Sequence, residues 1–256
     1  MWYQIKSRLF FLLKSSNQHG IHSPFVYDLI TKCLYDTNYY ADYHKLKTLR
    51  NELIQNQNSI EVTNQISEPV FNSDNQKIST IAKKSGASFK KQKLLYRLTK
   101  YLNPKSILEL GTSLGIGTTA MAFANGSNKI TTVEGCENIS GIAKQVFRKY
   151  QLNTIQVKTS SFEDFFNNLK TEKLGLVYID GAHDKKSVIE NFNYLLKFCH
   201  NDSVFIINDI YGSKKMTEAW DTLKNHKAVS VSIDNFFWGF LFFRKEQSKQ
   251  HFTIRL

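Results

Sequence analysis

Between Ser106 and Ile207 the sequence alternates short apolar runs with helix-compatible stretches, and this alternation restricts the fold more than any other feature. Five runs follow one another: Ile107 to Leu110, Lys129 to Val133, Thr154 to Lys158, Leu174 to Ile179 and Ser203 to Ile207. Strand and helix repeated in this way pack as a parallel sheet covered by helices, because each parallel connection must cross back over the sheet. The last segments break the rhythm. Ala228 to Ile233, the turn Asp234-Asn235 and Phe236 to Arg244 read as an antiparallel hairpin. The expectation is a seven-stranded α/β sheet, five parallel strands plus that hairpin.

Upstream, residues 1 to about 70 carry apolar positions at helical spacing, with breaks at His19-Gly20 and Ser23-Pro24. Residues 55 to 88 are rich in Asn, Gln, Ser and Lys and read as a connecting or mobile loop, able to close over a substrate. A helix is predicted from Ser88 to Leu102, its apolar stripe formed by Leu94, Leu95, Leu98, Tyr101 and Leu102. The expected division is therefore residues 1–87, a helical region and loop, and residues 88–256, a nucleotide-binding α/β domain.

The first strand runs into Glu109-Leu110-Gly111-Thr112-Ser113-Leu114-Gly115-Ile116-Gly117-Thr118-Thr119. Small residues directly after a buried strand let a ligand approach the backbone, and the following helix aims unpaired N–H groups at a carboxylate or phosphate. Gly115 to Ala120 also satisfies the GxGxxA dinucleotide pattern, which raises a nicotinamide enzyme as an alternative. That pattern should open at the strand end, whereas Gly115 lies five residues past Leu110. One strand later Glu134 stands at a strand end, where a carboxylate can accept hydrogen bonds from ribose hydroxyls.

An acid followed by GxxxGxG, together with the terminal hairpin, resembles the class I methyltransferases that use S-adenosylmethionine (SAM), a Rossmann-like fold. The resemblance implies SAM as cofactor, with Glu109, Gly111, Thr112, Ser113, Gly115, Gly117 and Glu134 around its methionine and ribose parts. Ser161 and Phe162, after the third strand, match the segment that lines the adenine. The fourth strand ends in Ile179-Asp180-Gly181-Ala182-His183 and the fifth in Asn208-Asp209, similar to small-molecule O-methyltransferases and to a related bacterial group. His19-Gly20-Ile21-His22-Ser23-Pro24-Phe25 and Phe237-Trp238-Gly239-Phe240 extend that likeness to both ends.

In that pattern Asp180, His183 and Asp209 are the candidate catalytic residues, His183 as general base with the two carboxylates orienting it. Two carboxylates and an amide are also a hard-oxygen set suited to Mg or Ca, so Asp180 and Asp209 are candidate metal ligands. The register departs from the metal-dependent catechol-type enzymes, whose fifth strand ends Asp-Asn rather than Asn208-Asp209.

The implied activity is methyl transfer to an oxygen of a small-molecule acceptor. Nine Lys or Arg side chains and no acid lie between Asn75 and Leu108, in a chain of net charge +12. This suits an anionic acceptor and keeps RNA methylation as an alternative, although no Asn/Asp-Pro-Pro-Tyr/Phe tetrad follows the fourth strand. A SAM-binding protein without catalysis is the reading from outside enzymology. No apolar run approaches the roughly 20 residues of a membrane span. Met1 to Ser16 mixes large apolar and basic residues and reads as a helix docked on the protein's own core, with a membrane-surface helix as the alternative. Cys33, Cys136 and Cys199 lack metal-ligand or disulfide spacing and suggest the cytoplasm. A homodimer is compatible with all of this.

Overall fold

The computed structural model describes residues 2–63, 75–170, 173–181 and 183–256. In chain order, α1 (Trp2–Lys14), α2 (Pro24–Leu29) and α3 (Asp42–Gln55) are followed by β1 (Ser59–Glu61), β2 (Asn75–Lys77), α4 (Ile78–Lys84) and α5 (Phe89–Leu102). The alternating part comprises β3 (Ser106–Leu110), α6 (Ile116–Ala124), β4 (Lys129–Glu134), α7 (Glu137–Lys149), β5 (Ile155–Thr159), α8 (Phe162–Asn167), β6 (Leu176–Ile179), α9 (Lys185–Leu195) and β7 (Val204–Asn208). It closes with α10 (Lys214–Lys224), β8 (Val231–Asp234), β9 (Trp238–Phe242) and β10 (Gln250–Thr253).

The main sheet has the order β10-β8-β9-β7-β6-β3-β4-β5. β4 pairs parallel with β5 and β6 with β7, while β9 runs antiparallel to both β7 and β8. All five expected parallel strands and the hairpin are present, but the sheet has eight strands rather than seven. The eighth, β10, adds parallel to β8 with Gln250 opposite Val231. Its sequence, Gln-His-Phe-Thr, carries no apolar alternation, since an edge strand with two exposed residues needs none; backbone pairing and the Ser232 Oγ to His251 Nδ1 bond of 2.9 Å hold it.

The chain divides into two compact units: Met1–Tyr35, Ser106–Leu108 and Lys170–Leu256 in the first, Asp36–Lys105 and Glu109–Leu169 in the second. In the second unit, α3, α4, α6 and α7 enclose an apolar cluster that includes Leu49, Leu53, Ile81, Ile116, Ala143 and Phe147. The connecting stretch predicted over residues 55–88 is not all loop. β1 and β2 form an antiparallel pair, and α4 buries Ile78, Ser79, Ile81 and Ala82. Three-residue strands with a single half-buried position leave no period for sequence reading to detect. Residues 64–74 of that predicted loop lie outside the described residues.

Helix α5 starts and stops where predicted. The Ser88 hydroxyl accepts the Lys91 N–H, and Asn103 closes the helix in left-handed backbone (φ +44°) just before Pro104. Its buried face differs from the expected stripe: Gln92, Tyr96 and Thr99 are buried with Leu94, Leu95 and Leu98, whereas Tyr101 is exposed. Rotation of the helix against α3 and α6 decides this, and those partners are distant in sequence.

In the first unit the hairpin turn spans residues 235–237, longer than the predicted Asp234-Asn235. The Asn235 side chain accepts N–H bonds from Phe237 (3.1 Å) and Trp238 (2.7 Å), and Asp234 accepts one from Phe236 (2.8 Å). These side-chain bonds replace a ladder step and permit Phe236 its positive φ of 76°. Helix α1 packs on this turn, with Phe11 5.4 Å from the Phe236 ring and the Arg8 guanidinium 4.6 Å from it. Only Ser7 and Phe11 of α1 are buried. The expectation of a core-docked helix holds for one face of it. Among the described residues, no helix is long and apolar enough to cross a membrane.

Candidate functional site

In the second unit the loop between β3 and α6 is shaped by backbone conformation. Gly111 (φ +100°), Ser113 (φ +48°) and Gly115 (φ +77°) all lie in the left-handed region. Leu114 and Ile116 are buried in the apolar cluster and tie the loop down from below. At Gly115 a Cβ would sit 2.6 Å from the Phe147 ring, so both the turn and the packing require glycine there.

Two carboxylates lock this loop. Glu109, 1% exposed, accepts the Thr118 hydroxyl of α6 at 2.5 Å and the Thr132 hydroxyl of β4 at 2.6 Å, both on Oε2. Because Thr132 spends its one proton on Glu109, Thr112 is the donor in the 2.6 Å Thr112–Thr132 contact. Glu109 thus joins strand, loop and helix from beneath. Glu134 takes the Ser113 N–H at 2.8 Å on one oxygen and the Cys136 N–H at 3.1 Å on the other. Burial raises its pKa above the usual carboxylate value, partly offset by the N–H groups of Cys136, Ser113 and Gly135.

A cofactor with a carboxylate and a ribose fits this arrangement. No side chain caps α6, so its first N–H groups have no side-chain acceptor. The Ser113 hydroxyl is buried in the loop without a hydrogen-bond partner. A carboxylate offers about four lone-pair positions, so Glu134 retains capacity for hydroxyl donors beside its backbone bonds. Ser161 is more committed: it caps α8 by accepting the Asp164 N–H at 3.0 Å and donates to Asp164 Oδ2 at 2.7 Å. Phe162, the first residue of α8, is half-buried.

In the first unit the ends of β6 and β7 carry a network of side chains. Asp180 accepts the Tyr178 hydroxyl at 2.9 Å on Oδ2 and the Asn208 amide on Oδ1. Asn208 in turn accepts the Trp238 indole N–H at 2.7 Å. Tyr178, Asn208 and Trp238 are all buried. The structure therefore joins Asp180 to Asn208. Asp209, the residue paired with Asp180 in the sequence reading, begins the next turn in left-handed backbone (φ +50°), with its carbonyl accepting the Gly212 N–H at 2.7 Å. His183 is exposed, just ahead of the Asp184 cap of α9. Among the described residues no group of three or more His, Cys, Asp and Glu side chains stands close enough to hold a metal ion.

Sequence reading missed Thr118, Thr132, Tyr178 and Trp238. Thr118 lies nine residues after Glu109 and Trp238 thirty after Asn208, and no spacing rule relates residues on different elements. The histidines near the start do not gather into this network: Asn17 caps the turn at His19, and both His19 and His22 are exposed.

Residues 108–210 match the family model of a methyltransferase domain. The fold is shared with solved methyltransferases at low identity. An O-methyltransferase from Streptomyces achromogenes, involved in tomaymycin synthesis and solved with SAM, is 17% identical with a TM-score of 0.55, covering 63% of this chain and 82% of that one. The O-methyltransferase of Bacillus cereus, solved with S-adenosylhomocysteine (SAH), is 17% identical with a TM-score of 0.55, covering 81% and 91%. An SAH-bound methyltransferase of Podospora anserina is 10% identical with a TM-score of 0.58, covering 82% of this chain and 100% of that one. A search of curated proteins found no significant match.

Proposed function

We infer, from a chain whose residues 108–210 match a methyltransferase domain, that it transfers a methyl group from SAM to an oxygen of a small-molecule acceptor. The observation that carries the reading is the β3–α6 loop: three left-handed residues, an uncapped helix start and a buried, unpartnered Ser113 hydroxyl, with Glu134 bonded to the loop backbone. SAM supplies an electrophilic methyl on a sulfonium; its transfer leaves SAH and a methylated oxygen, and the acceptor gives up a proton. The N–H groups at the start of α6 would hold the methionine carboxylate, Glu134 the ribose hydroxyls, and Phe162 would cover the adenine. Glu109 positions the loop from below through Thr112, Thr118 and Thr132.

On the acceptor side, Asp180 is the favoured group. Tyr178 and Asn208 donate to its two oxygens and orient it, which suits a group that stabilises a cationic base or steers an acceptor hydroxyl. His183 is proposed as that base and Asp209 as a further polar group. The basic run from Lys77 to Lys105 supports an anionic acceptor, and the free cysteines support a cytoplasmic setting. The test is calorimetry with SAH and NAD, followed by transfer of labelled methyl from SAM to phenols, catechols and hydroxy acids. Binding of SAH alone and label in an ether or ester support the reading. Affinity for NAD and none for SAH overturn it.

A further inference from the structure

Helix α1 meets its own protein on a narrow line. Ser7 and Phe11 are buried, the Gln4 amide donates to the Gly212 carbonyl at 3.2 Å, and Arg8 lies over Phe236. The opposite face is apolar and open to solvent. Trp2 is 86% exposed, Leu9 59% and Leu13 82%, with Ile5 and Leu12 also exposed. Steps of three and four residues from Trp2 to Ile5, Leu9, Leu12 and Leu13 place these side chains along one stripe about 100° wide. An ordinary surface helix turns such a stripe inward; here it points away from the docked side.

The charges carried by the helix itself are of one sign. Lys6 borders the stripe, Arg8 and Lys14 lie toward the docked side, and the first acidic residue in sequence is Asp28. Gln4 also ties the helix to Gly212, two residues before Lys214-Lys215, which are exposed. A second copy of the chain is a poor occupant. The stripe on a 13-residue helix measures about 20 Å by about 10 Å, far below the roughly 800 Å² per partner of a stable interface. Pairing two such helices would also bring cations against cations without an acid on either. An anionic lipid surface satisfies both features: the apolar side chains enter the boundary between headgroups and acyl chains, and the bordering Lys6 meets phosphates.

We propose that the outward face of α1 is a membrane-surface anchor that seats this protein on anionic lipid bilayers, with Trp2, Ile5, Leu9 and Leu13 inserted and Lys6 at headgroup level. The helix lies in the interface and does not cross it. This proposal is independent of the methyltransferase reading.

The test is sedimentation of the full chain with vesicles of phosphatidylcholine, with and without phosphatidylglycerol. The wild type is expected to sediment with the anionic vesicles, and less so at high salt. The variant L9D/L13D is expected to lose binding by about tenfold or more, because two inserting side chains are lost and two negative charges are added. Lys6→Glu should weaken binding without abolishing it. Both leucines are exposed, so the thermal unfolding of L9D/L13D should match the wild type, which separates lost binding from lost fold. The proposal is overturned if the wild type stays in the supernatant with anionic vesicles, or if L9D/L13D sediments as well as the wild type. It is equally overturned if light scattering shows a wild-type dimer that L9D/L13D converts to monomer, since a second copy would then cover the face.

Discussion

The turns after β3 and after β7 both leave the sheet with left-handed backbone, and they are built differently. After β3 the positive φ values fall on Gly111, Ser113 and Gly115, and Glu134 reaches the backbone N–H of Ser113. After β7 the positive φ falls on Asp209, a residue with a Cβ, and the nearby carboxylate Asp180 bonds side chains, Tyr178 and Asn208. The first site is made of main chain, positioned by glycines and two carboxylates. The second is made of side chains that depend on one another. A ligand common to many enzymes can be held by backbone, which every sequence possesses, whereas a particular acceptor needs particular side chains.

The strongest way to break this contrast is Gly115→Ala. The added Cβ meets the Phe147 ring at 2.6 Å and occupies a backbone conformation costing about 1–2 kcal/mol for an L side chain. SAH affinity by calorimetry should fall by about 100-fold or more, with the Asp180 network undisturbed. Retention of wild-type affinity would show that the loop does not hold the cofactor.

Glu134→Gln comes next. Hydrogen bonds to a charged group contribute about 1.5–3 kcal/mol, so SAH affinity should fall roughly 10- to 100-fold. Its pH dependence follows from the raised pKa of Glu134. If Glu134 holds the ribose as proposed, its charged carboxylate is lost as pH falls through a value above its ordinary one, so wild-type affinity should drop there while the Gln variant stays flat. Stability runs the other way. The folded state takes up this proton at higher pH than the unfolded chain, so between the two values the contribution to stability declines as pH rises. Denaturant titrations across that window would read it.

Asn208→Leu probes the side-chain network. It leaves the buried Trp238 N–H without its acceptor and removes one donor from Asp180, at a cost of about 1–3 kcal/mol. Turnover should fall while SAH affinity stays within about twofold, because Glu109 and Glu134, on other strands, hold the loop. A large loss of SAH affinity would erase the distinction between the two sites. The smallest effect is expected from Asp209→Gly, in which relief of left-handed backbone opposes loss of the side chain's interactions, so thermal unfolding should shift by no more than about 1 kcal/mol either way. A larger fall would mean that the Asp209 carboxylate holds its turn.

The two turns also differ in how far they can be read in advance. Gly111, Gly115 and Gly117 announce the first, since glycine after an apolar run has a local conformational cause. The left-handed backbone at Asp209 has no local signal, and the family resemblance grouped Asp209 with Asp180 without indicating that the Asn208 amide would bond to Asp180. Thr118 and Thr132 escaped notice for the same reason. They become partners of Glu109 only when α6 and β4 flank β3.

By itself the sequence determined the alternation of strands and helices, the antiparallel pair β8–β9, the limits of α5 and the glycine loop. Each of these arises from residues close in the chain, through side-chain periodicity, capping and backbone freedom. Tertiary structure alone decided that β10 joins the sheet, that Gln92 and Tyr96 rather than Tyr101 face inward, and that Asp180 is held by Tyr178 and Asn208. It also decided which side of α1 is covered. The helix is apolar on more than one face, and periodicity does not say which face meets the rest of the protein.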